Sequence, residues 1–256
     1  MVDSQYNTLL IIEGESYEKK FFDKFISIIS ENKDIKIVPF KNNIYSLYRK
    51  ITRDYDGFTT TKDVILEHCK MTEEERNVIK NTKFVNTFLV FDLDLQDKND
   101  RQRELLLNRV KKMLELFSDE TGYYGKLFIN YPMMESYRHF YFSDIKSLKN
   151  KQVESTQEVL TNYKNIVDKE GTNKNVKQYK INDFYKIALA HLCQANMLLN
   201  GKFRKPSKEE YNDIIEIQNI HEKQMTLILQ KNYMVVLNTS SFLYAEYYPN
   251  MLKTKP

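Results

Sequence analysis

Three stretches of the chain place acids where an apolar run stops. Glu13 closes TLLIIE at residues 8–13, Asp92 and Asp94 close KFVNTFLVFDLD at 83–94, and Glu135 follows GKLFINYP at 125–132. Carboxylates gathered at one place repel each other and shift to higher pKa values unless a cation sits among them. A ligand set of oxygens, without a His or Cys cluster, suits Mg²⁺ or Mn²⁺. Such an ion, bridging a phosphate and a water, supports phosphodiester chemistry. Around these acids stand Glu18, five residues beyond Glu13, and Arg138 and His139, close behind Glu135. If Asp92 and Asp94 share a strand, period-2 alternation points both to one face, where they could hold one ion. Asp97 lies beyond that strand. On a helix, Glu135 and His139 would share a face at i, i+4 and could bind a metal or shuttle protons. Arg138 is a candidate phosphate clamp. Each also has a plain alternative: a turn acid, a first-turn acid favoured by the helix dipole, or a paired surface histidine.

The acids must be positioned by the elements before them. Continuous rather than alternating apolarity in LLII suits a parallel strand covered on both faces; FLVF within 83–94 and GKLFINYP at 125–132 read as further strands, as does IKIVPF at 35–40, with Pro39 near an edge. Residues 17–30 carry Phe21, Phe22, Phe25, Ile28 and Ile29 at helical spacing. Residues 43–80 read as helical, with Thr72 and Glu75 forming a capping box, and 100–120 reads as an amphipathic helix. Strand and helix thus alternate over 8–142, the pattern of a parallel α/β sheet flanked by helices. In open parallel sheets ligands bind outside the carboxyl ends of the strands, where these acids fall. The expected organisation is an α/β domain over 1–145 and a mainly helical region over 146–256. In the latter, 146–180 is Lys- and Asn-rich and reads as a solvated segment or a substrate-contacting insert. Helices are expected over 182–200, from Ser207 to about Tyr233, and over 239–248; His191 reads as a core histidine.

The order of these motifs resembles the TOPRIM domain. A strand ending in Glu-Gly and a later strand ending in Asp-x-Asp map that family's functional residues onto Glu13, Asp92 and Asp94. The similarity is closest to the RloB-like branch associated with prokaryotic defence loci: Glu13, Gly14, Glu18, Phe21 and Phe22 match its N-terminal motif, and YPMMESYRHF, with Pro132, Glu135 and His139, resembles its later one. Tyr131 stands where Asn is usual, with Asn130 one place earlier, and Met134 stands where Phe is usual. The resemblance spans 8–142. It implies a TOPRIM-like Rossmannoid sheet, Mg²⁺ or Mn²⁺ as cofactor held by Glu13, Asp92 and Asp94, assistance from Glu18, Glu135 and His139, and cleavage of DNA or RNA (tRNA included) by an antiviral defence effector. Two alternatives remain open: a binding subunit acting through an ATPase or sensor protein, and a primase-like nucleotidyltransferase.

Composition narrows the field. The 256 residues include 41% hydrophobic and 29% charged residues, with net charge +4, a mildly basic balance that permits nucleic-acid binding without requiring it. Six Gly and five Pro are few for a turn-dense all-β fold. Two distant cysteines make no zinc module or disulfide framework. No P-loop, G-x-G-x-x-G or G-x-S-x-G motif occurs. With no basic-then-apolar leader and no apolar stretch long enough to span a bilayer, a cytoplasmic protein with no membrane association is expected; homo-oligomerisation is left open.

Overall fold

In a computed structural model, residues 7–29, 35–53, 59–95 and 100–253 are described; Asp97 lies outside them. The chain forms two compact units, one of residues 1–91 and 113–128, the other of 92–112 and 129–256. The fold is α/β, with a mostly parallel five-stranded sheet flanked by helices.

The strands β1 (Thr8–Ile12), β2 (Ile35–Pro39), β3 (Asn86–Asp92), β4 (Ser118–Asp119) and β5 (Gly125–Asn130) lie in the order β2-β1-β3-β5-β4. β1 runs parallel to both β2 and β3, with Ile12 opposite Pro39 and Val90. All five β1 residues are buried, as are Phe88 to Phe91 of β3. Both runs are covered on both faces, which is why they are continuously rather than alternately apolar.

Between these strands come α1 (Tyr17–Ile29), α2 (Ile44–Arg53), α3 (Thr61–His68), α4 (Glu73–Asn81) and α5 (Asp100–Leu116). The first buries Phe21, Phe22, Phe25 and Ile26, with Phe21 and Phe22 edge to face at 5.2 Å. The Thr72–Glu75 capping box forms as expected, and Thr60 with Asp63 makes a second. α5 ends at Leu116, and the following two-residue β4 pairs antiparallel with β5.

The second unit adds β6 (Gln152–Glu154), α6 (Gln157–Thr161), α7 (Tyr163–Glu170), α8 (Ile181–Asn200), α9 (Lys208–Ile215), α10 (Ile217–Lys231), β7 (Tyr233–Val235), α11 (Leu243–Tyr247) and α12 (Asn250–Lys253). β6 and β7 form an antiparallel pair. The Lys- and Asn-rich stretch is thus built into the fold: Leu148, Leu160, Tyr163, Val167 and Tyr179 are all at most 1% exposed. The helix expected from Ser207 to about Tyr233 breaks at Glu216, whose ψ of 83° leaves the helical region. The break is supported by the Asn219 side chain, which donates to the Asp213 carbonyl at 3.0 Å. Among the described residues no helix is long and apolar enough to cross a membrane.

Gly125 opens β5 at φ +84°, and a Cβ there would lie 2.7 Å from the Thr87 carbonyl oxygen. Left-handed strain alone costs roughly 1–2 kcal/mol in a residue with a side chain, and the clash is with backbone that cannot swing away. Gly125→Ala should lower unfolding free energy by about 2 kcal/mol or more, read as a shift in urea midpoint at constant slope. A change below roughly 0.5 kcal/mol would show that the turn adapts.

Candidate functional site

The first unit carries Glu13 and Glu18. Glu13 leaves β1 with its N–H donating to the Val90 carbonyl at 3.2 Å and its carbonyl accepting from Lys41 N–H at 2.9 Å. The residue is therefore fixed by backbone bonds to the ends of both neighbouring strands. Glu18 lies in the first turn of α1. Its carboxylate folds back over Gly14, where an added Cβ would coincide with it. That packing is a physical reason for Glu-Gly-x-x-x-Glu: the missing side chain lets the second acid lie against the residue that follows the first.

The second unit carries Asp92, Asp94, Glu135, Arg138 and His139. The strand ends at Asp92, and Asp94 stands outside it at φ +56°. The alternation argument for the Asp pair therefore does not extend to Asp94; an aspartate tolerates this conformation better than most residues. Asp92 accepts a hydrogen bond from the Asn130 amide at 3.4 Å. Asn130 in turn accepts from the Ser240 N–H at 3.3 Å. Leu93, between the two acids, donates its N–H toward the Asn130 and Pro132 carbonyls at 3.2 and 3.3 Å. The Asp92 segment is thus moored to the turn around the cis Tyr131–Pro132 peptide.

Residues 134–138 form a 3₁₀ turn, not the helix on which Glu135 and His139 would share a face, closed by the His139 N–H donating to the Ser136 carbonyl. Glu135 and His139 accordingly do not act as an i, i+4 pair. The physical reason is lateral: α7 takes up the side chains of this turn separately. Lys164 lies 3.0 Å from the buried Glu135 carboxylate. Asp168 accepts from the Arg138 guanidinium at 2.6 Å, so that the candidate phosphate clamp already has a carboxylate partner. His139, 1% exposed, lies between Tyr163 and Glu170, with Nδ1 3.0 Å from the phenol oxygen and Nε2 3.3 Å from the carboxylate. Burial, with Lys151 nearby, pushes the His139 pKa down to about 4. The neutral ring therefore donates from Nε2 to Glu170 and accepts the Tyr163 O–H at Nδ1. Tyr163 is held well above the ordinary phenol range, first by burial and then by the charges of Glu135 and, more weakly, Asp92. It stays protonated and acts as a donor.

Tyr163, Lys164, Asp168, Glu170 and Ser240 were not singled out from the sequence, and Asn130 was noted only beside Tyr131. Of these, α7 had a signal: Tyr163, Ile166 and Val167 recur at helical spacing inside a polar stretch. The other two buried histidines are held by hydrogen bonds within the second unit. His191 accepts from the Asn238 N–H at 3.1 Å, and His221 bridges the Tyr131 hydroxyl at 3.0 Å and the Leu107 carbonyl at 2.8 Å.

Asp92, Asn130 and Glu135 offer oxygen donors of the kind hard divalent cations take, and an ammonium already stands against Glu135, so that position accommodates positive charge. Among the described residues, no three acid, His or Cys side chains are gathered into a complete ligand set. Compared with known proteins, the chain matches no family model, no curated protein and no solved structure. What the fold and site define is thus a class only: an α/β protein with acids at the carboxyl ends of a mostly parallel sheet.

Burial holds His139 and His221 near about 4 and His191 near about 3, below the usual 6.5. The folded state then binds fewer protons than the unfolded chain between about pH 6.5 and about 4, so stability rises with pH through that window and is lost on acidification. Urea midpoints taken across the window should fall toward acid. His221→Gln, less stable at the upper end, should show a shallower fall; an unchanged slope would assign the acid sensitivity to other groups.

Proposed function

We propose that the protein is a divalent-metal-dependent nuclease of the TOPRIM kind, cleaving phosphodiester bonds of DNA or RNA, and that it serves as a defence effector as its RloB-like motifs suggest. One observation carries the reading. In the order β2-β1-β3 the chain leaves β1 for one side and then crosses to the other, so the strand order reverses between β1 and β3. Ligands of open α/β sheets bind outside the carboxyl ends at such a reversal. The residue leaving β1 there is Glu13, and β3 closes with Asp92.

In this reading Glu13, Asp92 and Asp94 hold Mg²⁺ or Mn²⁺. When bound, the ion supplies charge stabilisation for the phosphoryl oxygens and a more acidic water. The protein's own groups do the rest. The Asn130 amide orients the Asp92 carboxylate, as outer-shell partners of metal-binding acids do. Glu18, held over Gly14, is placed to accept a proton from an attacking water. Glu135 and Lys164 set the local charge, with the ammonium available to a phosphate oxygen if the pair separates. Tyr163 keeps its proton and donates its hydrogen bond to His139 Nδ1. His139 acts through Tyr163 and is a positioning residue.

The test is cleavage of plasmid, single-stranded DNA and total tRNA with Mg²⁺ or Mn²⁺, comparing the parent with Glu13→Gln and Asp92→Asn. Cleavage by the parent should fall by roughly two orders of magnitude or more in each variant, about 2.7 kcal/mol of barrier. Equal cleavage by parent and variants would remove the metal assignment. No cleavage by any of them, with all chains folded, would move the assignment to a subunit acting through a partner.

A further inference from the structure

Within the first unit, β2, α1, α4 and the 70–71 segment line an open cleft. Four lysines line it, Lys19, Lys36, Lys41 and Lys70, against two acids, Glu15 and Glu75. Lys19 is also paired outside the lining, with Asp23 at 2.8 Å, so with all seven groups ionised, the described residues leave one net positive charge at the cleft. The acids do not cancel this evenly. Glu15 is engaged with Lys41 at 2.7 Å. The Glu75 carboxylate caps α4, accepting from the Thr72 N–H at 3.0 Å and its hydroxyl at 3.3 Å. That backbone bond, with Lys36 and Lys19 nearby, holds its pKa below the usual carboxylate range.

The kind of cation and the remaining walls indicate the ligand. Lysine ammoniums on long stems act as mobile point charges, suited to phosphate oxygens without fixed geometry, whereas a planar carboxylate or a single defined phosphate favours the arginine fork. Ile37, Val38, Pro39, Met71 and Ile79 complete the lining. Among the described residues that line it, none is aromatic or arginine, so they offer no stacking platform for a base. These walls fit a sugar–phosphate backbone better than a mononucleotide, which would need its base held. β2 is the edge strand of the sheet, and the cleft lies against it. Its position also fits. Lys41 follows the carboxyl end of β2 at φ +60°, and its N–H donates to the Glu13 carbonyl at 2.9 Å.

We propose that this lysine cleft is the track that holds the phosphate backbone of the polynucleotide substrate and leads it to Glu13. The proposal rests on the nuclease reading above, and it assigns the binding of the substrate to Lys19, Lys36, Lys41 and Lys70 of the first unit rather than to the Lys- and Asn-rich stretch of the second.

The experiment measures binding of a labelled single-stranded oligonucleotide to the full chain carrying Glu13→Gln, which separates binding from cleavage. Salt is varied from about 50 to about 200 mM. Adding Lys36→Gln and Lys70→Gln should weaken binding and flatten the slope of log K against log salt by roughly 0.7 for each phosphate no longer neutralised, and to a similar degree for oligonucleotides of different sequence. Lys146→Gln with Lys177→Gln, at exposed positions of the second unit, should leave the slope unchanged. Thermal melts of each variant confirm folding. A slope unaffected by Lys36→Gln and Lys70→Gln overturns the track; if the parent still cleaves, the nuclease reading survives that result. A parent that neither binds nor cleaves loses both. Complete displacement of the oligonucleotide by a single mononucleotide equivalent would overturn the backbone assignment in favour of a nucleotide site.

Discussion

β1 is a strand without a free side. Its five residues are all buried, and β2 and β3 take both of its edges. A backbone so enclosed must satisfy every N–H and C=O through its neighbours, and it has no outward face on which to mount a reactive group. Its one outlet is the carboxyl end. There the last bonds of the ladder run on past the strand, from Glu13 to Val90 and from Lys41 to Glu13, so the residue that leaves the sheet is held as firmly as those inside it. A charged side chain at this point is positioned by a rigid scaffold while remaining half-buried. The same constraint acts on β3, where four buried residues lead to Asp92.

In the second unit, precision comes from hydrogen bonds instead. Asn130 is fully buried, and its amide and carbonyl groups serve Asp92, Ser240 and Leu93 at once. Asn238 works beside it, donating to the Met134 carbonyl at 3.1 Å and accepting from the Ser240 hydroxyl at 2.9 Å. A buried polar group left unpaired costs about 1–3 kcal/mol, so a network of this kind tolerates few arrangements. The short turn at 134–138 is held from the side by α7 through Lys164, Asp168 and Glu170. It is the tertiary partners, not the local sequence, that decide its conformation.

This contrast explains what could be read from the sequence. The apolar runs of β1 and β3 and the Thr72–Glu75 cap are local signals, each decided by residues a few positions apart, and each formed as expected. The 20-residue helix α8, closed by Gly201 at φ +72°, was equally plain. The 3₁₀ turn was not, because spacings of three and four residues fit it and an α-helix alike until the lateral contacts are known. Asp94 was misplaced because alternation presumes that the strand continues, and nothing in FDLD marks the turn to positive φ. Asn130 was visible as a polar residue ending an apolar run, but its buried partners lie far away in sequence at Ser240 and Asn238. The partners in α7 fell within a stretch whose lysines and asparagines masked its three apolar positions.

The first unit sets two opposite charges side by side, and the proposed reading gives each a separate task. Glu13 and Glu18 would repel a polyanion; the lysines of the cleft beside β2 would attract one. Acids alone would exclude a phosphate chain, and lysines alone would hold it without reacting. Attraction by flexible ammoniums is long in range, indifferent to base sequence and weakened by monovalent salt. In that reading the acids would need a divalent cation before a phosphate could approach, a requirement set by coordination rather than screening. Affinity and chemistry would then answer to different ions: sodium or potassium would tune how tightly the chain holds its substrate, and magnesium or manganese would decide whether the held substrate reacts. The backbone bond from Lys41 N–H to the Glu13 carbonyl would keep the cationic wall next to the residue that carries the carboxylate, so that the two tasks would share one scaffold.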